Sequence, residues 1–126
     1  MNWLKRILAL GLAGNGLTML LSPGYWYEHV PGVSLTGPLN THFVRDIGCA
    51  YIAASAALAW ALLEARLAWP MTALAALFLV LHAAVHLYEL SVGICGWGGW
   101  LRAFPGVTLP ALLTLLVIGV ERTRRA

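Results

Sequence analysis

Three ionisable side chains share one stripe of an apolar stretch, His82-Ala-Ala-Val-His86-Leu-Tyr-Glu89. At about 100° per residue, His82, His86 and Glu89 fall within about 60° of one another on a helix surface. The run that carries them, residues 71–92, is long enough to cross a bilayer. Ionisable groups inside a membrane helix are expensive and need partners. The chain offers partners in one other place, His42-Phe-Val-Arg45-Asp46, where His42, Arg45 and Asp46 recur at spacings of three and four.

The chemistry these types support is metal ligation. Three imidazoles and two carboxylates, His42, Asp46, His82, His86 and Glu89, suit a divalent transition metal such as Zn, Fe, Mn or Cu, with haem ranking behind it. Helical bundles build carboxylate–histidine sites from facing motifs of this kind. Two alternatives stay open: a polar or proton-linked site without metal, and a hydrogen-bonded network that only locks helices together. Arg45 either pairs with a carboxylate and snorkels, or clamps a carboxylate, phosphate or quinone oxygen. Tyr88 could donate a hydrogen bond to a substrate, and Glu28 and His29 could close the site from a loop above it. Cys49 lies on the His42 face and is expected as a small core residue. With only Cys95 besides, the chain has no thiolate framework.

The elements that must position these residues follow from composition. The chain has 126 residues, 60% hydrophobic and 10% charged. A soluble domain carries roughly 25% charged residues, so an all-α polytopic membrane protein is expected, one domain with a bundle of four transmembrane helices. The spans read as residues 3–21, 41–63, 71–92 and 107–120. A basic start before an apolar core also suits a secretory leader, but no small-x-small site precedes Ser22-Pro-Gly. Gly11, Gly14 and Gly16 would let the first span approach a neighbour closely. Residues 22–40, broken at Pro23-Gly24, Pro31-Gly32 and Gly37-Pro38, are expected as a non-helical cap, and Gly93 to Trp100 as too glycine-rich for a helix. Asn40 or Thr41 should cap the second span.

Lys5, Arg6, Arg66, Arg122, Arg124 and Arg125 fall on one side, and Arg102 alone in an opposite loop. The positive-inside rule then places both termini in the cytoplasm of a bacterial inner membrane. The net charge of +3 reports this topology and not nucleic-acid binding. Because the second span enters as the third leaves, His42 and Asp46 should stand level with His86 and Glu89 in the outer leaflet. An internal echo, W-x4-P-G-V at Trp26 to Val33 and again at Trp100 to Val107, suggests two repeated helical hairpins.

The Pro23-Gly24-Tyr25 loop and the Arg45-Asp-Ile-Gly48-x-Ala50-Tyr51 opening of the second span resemble the DoxX-like group of small four-helix bacterial membrane proteins. The resemblance covers the first half of the chain. It implies a four-helix fold and an association with quinone-linked oxidoreductases, while the His82, His86 and Glu89 stripe is no part of that pattern. Three functions compete. One is a metal- or haem-dependent membrane oxidoreductase, or a subunit of one, acting on a quinone or other apolar molecule. The others are a small transporter or proton-linked carrier, and an accessory subunit in a homo-oligomer or larger membrane complex. The cytoplasmic halves of the spans are read as lacking ionisable residues, which counts against transport.

Overall fold

The computed structural model describes residues 1–123 as an all-helical chain, with no strand among the described residues. Arg124 and Arg125 of the topology count lie outside them. Four long helices are α1 (Asn2–Leu21), α3 (Thr41–Leu63), α4 (Ala68–Ser91) and α6 (Thr108–Thr123). Two short ones, α2 (Pro23–His29) and α5 (Trp97–Ala103), follow α1 and α4. Helices α1, α3 and α4 are long and apolar enough to cross a membrane. Helices α5 and α6, bent by 54° at their break, pass the same test of length and composition only when taken together.

The long helices bury small and apolar side chains inward and show large apolar ones outward. In α1 the buried positions are Leu4, Lys5, Leu8, Ala9, Leu12, Gly16 and Met19, a helical stripe. Leu10 and Leu21 of α1, Leu63 of α3 and Leu81 of α4 are exposed on the outer surface. An apolar outer face of this extent suits lipid and not water. Neighbours in the bundle follow chain order, α1 on α3, α3 on α4 and α4 on α6, while α1 and α6 touch sparingly.

The α1–α3 contact is the tightest. A Cβ on Gly16 would stand 2.8 Å from the Gly48 carbonyl oxygen, and one on Gly48 would stand 2.9 Å from Met19 Cβ. The two backbones therefore pass closely only because both residues lack side chains. Ser55 Oγ donates a hydrogen bond to the Ala9 carbonyl at 2.7 Å inside the same seam. Gly11 and Gly14 take no part: a Cβ on either would meet nothing within 4 Å.

Two segments expected as loops are partly helical. Pro23 opens α2 at its first position, where its missing N–H costs nothing. Helix α5 forms despite Gly98 and Gly99, with Trp100 packed edge-on to Trp97 at 6.0 Å and to Phe104 at 5.3 Å between ring centroids. Aromatic packing there outweighs the low helix propensity of glycine. Each short helix has seven residues, carries a tryptophan at the fourth, Trp26 or Trp100, and is followed one residue later by Pro-Gly. The two motifs touch. Gly32, at φ 88°, brings its backbone against α5, where a Cβ would stand 3.3 Å from Arg102 Cβ.

Candidate functional site

Helix α4 delivers His82, His86 and Glu89 to one wall of a cavity of about 690 Å3. Its end is fixed by Gly93, at φ 79°. The Ile94 amide donates to the Glu89 carbonyl at 2.9 Å and the Gly93 amide to the Leu90 carbonyl at 3.3 Å, a glycine-terminated helix end that holds the turn carrying Glu89. The His82 and His86 rings meet edge to face, with centroids 5.0 Å apart. His82 also stacks on Phe78 at 5.6 Å and meets the buried Tyr51 ring edge-on at 5.8 Å. Aromatic packing on both sides thus limits the rotamers of this imidazole.

The opposite walls come from four elements. Helix α3 contributes Phe43, Val44, Ile47 and Tyr51, and α1 contributes Asn15 and Met19. Residues 26–40 cover the cavity, with Trp26 and Tyr27 among its lining. Trp26 Nε1 donates to Asn15 Oδ1 at 2.8 Å, and the Tyr27 hydroxyl to the Gly37 carbonyl at 2.7 Å. These bonds tie the cover to α1 and to itself. Segment 95–107 adds Cys95, Arg102 and Pro105. The result is a mostly apolar space, floored by aromatic rings, into which two imidazoles, a carboxylate and a guanidinium face.

The level of the two helices is as the rise per residue required, since the start of α3 lines the same cavity as the end of α4. The facing of α3 is not. His42 and Asp46 are absent from the lining and pair with each other across one helical turn, Nε2 to Oδ2 3.3 Å. Their side chains are 85% and 59% exposed. At about 100° per residue they lie roughly 120° and 160° around the helix from Gly48, and Gly48 must face α1. Cys49, on the His42 side, is exposed and not a core residue. The five expected metal ligands are therefore split between two surfaces. Among the described residues no three His, Cys, Asp or Glu side chains gather closely enough to hold a metal ion.

The residues expected to bind substrate or anion also lie outside the cavity. Arg45 donates from Nε to the Leu20 carbonyl at 3.2 Å, so it caps the last turn of α1 and meets the negative end of that helix. Tyr88 is 62% exposed on the outer face of α4. Glu28 is exposed, and His29 stacks on Tyr25 at 4.0 Å with Nδ1 2.9 Å from the Tyr25 carbonyl oxygen. In their place stand Asn15, Tyr51 and Arg102. The signal for Asn15 is a lone amide in the middle of an apolar span. That for Arg102 is its position as the single basic residue of its loop.

One further ionisable pair was hidden in the topology count. Lys5 is 2% exposed and donates to Glu121 Oε1 at 2.6 Å and to the Ala61 carbonyl at 3.4 Å. It joins α1, α3 and α6 at the end of the bundle that carries the N-terminus. The helix interiors at that end thus do hold ionisable residues, contrary to the expectation from sequence. No protein-family model, no curated protein and no solved structure matches the chain, so the site is read from its own residues.

Proposed function

We propose that this chain is a small membrane protein that binds a lipid-soluble molecule with a flat, hydrogen-bonding ring, of quinone or phenol type, in the outer leaflet. It would act as a membrane oxidoreductase subunit, with the resemblance to the DoxX-like group pointing the same way. The observation that carries the reading is the cavity of about 690 Å3 with His82, His86, Glu89 and Arg102 set in an apolar, aromatic wall. A space of this size, apolar with a few convergent polar groups, has the character of a ligand site. Trp26, Tyr27, Phe43 and Tyr51 suit a flat ring. The imidazoles can donate or accept a hydrogen bond at a ring oxygen. Such oxygens gain protons as the ring gains electrons, and Glu89 lines the same cavity nearer the end of α4 than His86. The electrons belong to a partner in the membrane. The two hairpins, each with a seven-residue helix and a Pro-Gly turn, read as copies of one unit whose contact roofs the site.

A divalent metal is the second reading. The edge-to-face His82 and His86 pair supplies two nitrogen donors one turn apart, and further ligands would come from the bound molecule or a partner chain. One preparation tests both. Purified protein in nanodiscs is titrated with a tailless benzoquinone, followed by tryptophan quenching, and its metal content is measured. Saturable quenching that weakens in His86→Ala supports the ring site, and non-saturable quenching overturns it. Stoichiometric metal that is lost in His82→Ala would move the reading to the metal.

A further inference from the structure

The cavity beside His82 does not end at Tyr51. A second cavity, of about 300 Å3, lies between α1 and α6 and shares Asn15, Tyr51, Pro105 and Gly106 with the first. It then follows α1 past Leu12, Gly11 and Leu8 to Ile7, about 12 Å of helix rise below Asn15. Apart from Asn15 and Tyr51 its lining is entirely aliphatic, proline or glycine. The space exists because α1 and α6 approach sparingly, with Lys5 and Glu121 joining them at the far end. Gly11 leaves its floor bare, since a Cβ there would meet nothing within 4 Å.

We propose that this groove holds the aliphatic tail of the molecule whose ring occupies the larger cavity. The ligand class is then a ring with hydrogen-bonding oxygens and a long alkyl or isoprenoid chain. The inference rests on the ring-site reading above. Its argument is continuity and depth. A chain leaving the ring upward would meet segment 31–40, which covers the cavity, whereas one leaving beside Tyr51 enters an apolar channel. Burying methylenes against Leu8, Leu12, Leu109 and Leu113 favours the second route. The seam between α1 and α6 also gives a lipid-soluble molecule a sideways entrance from the bilayer. The competing occupant is an acyl chain of a bulk lipid.

The test separates tail from ring. Nanodiscs of fixed lipid composition hold wild-type protein, Gly11→Leu or Leu109→Trp; both variants fill the groove, and two are made so that a folding defect in one leaves the other. Each is titrated with dimethoxy-methyl-benzoquinone and with its decyl homologue, and each probe is compared only between proteins, so its partition into lipid cancels. The decyl probe should lose about tenfold in affinity in the variants, the value of about two buried methylenes, while the tailless probe keeps its affinity. Unchanged decyl affinity in both variants overturns the inference and assigns the groove to bulk lipid. Equal weakening of both probes overturns it too, because the groove then acts only through the ring cavity. Failure of both probes to bind wild-type protein overturns the ring-site reading itself, a distinguishable result.

Discussion

The two ends of the bundle handle buried charge in opposite ways. At the end carrying the N-terminus, Lys5 and Glu121 meet at 2.6 Å, with side chains 3% and 13% exposed. At the other end His82, His86 and Glu89 line an open volume and form no ion pair among the described residues. A pair that neutralises itself between helices has its interaction energy committed to packing. Groups that face a cavity keep theirs for whatever enters it. The ionisable residues of the long helices thus divide by what they face, and only the second kind is a candidate for binding.

Breaking the closed pair should have the largest effect. Glu121→Ala leaves the Lys5 ammonium buried without its partner, and a loss of about 3 kcal/mol is expected from removing one member of such a pair. Thermal unfolding in detergent would show it, and the double change Lys5→Met with Glu121→Leu should recover most of the loss. If Glu121→Ala melts like wild type, the pair is not a structural tie and the contrast between the ends fails. Next comes the seam that orients α3. Gly48→Val forces a side chain into the space against Met19 and Gly16, and overpacking of about 1–3 kcal/mol should lower the melting temperature. At the open end the expected sign is different. His86→Leu removes a polar group that has no ion-pair partner, so stability should hold, while affinity for the ring probe falls about tenfold, the worth of one good hydrogen bond. Lost stability with unchanged binding would make this end structural as well. The smallest effect belongs to His42→Ala and Asp46→Asn. An exposed pair is worth little, so binding should change by less than about twofold in either variant, and a large loss would bring α3's outer face back into the site.

The sequence alone determined the long helices and the relative levels of α3 and α4. The second span is Thr41–Leu63 as read, capped by Asn40, whose Oδ1 accepts from the Phe43 amide at 3.1 Å. The His82, His86 and Glu89 column was legible because the 3.6-residue period is local and lies wholly within α4. The matching levels of α3 and α4 were legible too, since a fixed rise per residue counts distance from the helix end. The short helices α2 and α5 are not legible in the sequence because glycine and proline count locally as breakers, while Pro23 starts one helix and aromatic packing holds the other. What only the tertiary structure decided is rotation about each helix axis. One contact, Gly16 against Gly48, turns α3 so that Tyr51 faces the cavity while His42, Asp46 and Cys49 face out. The same kind of long-range decision takes Lys5 from a surface charge to a buried tie, because its partner Glu121 lies at the other end of the chain and no local pattern connects them.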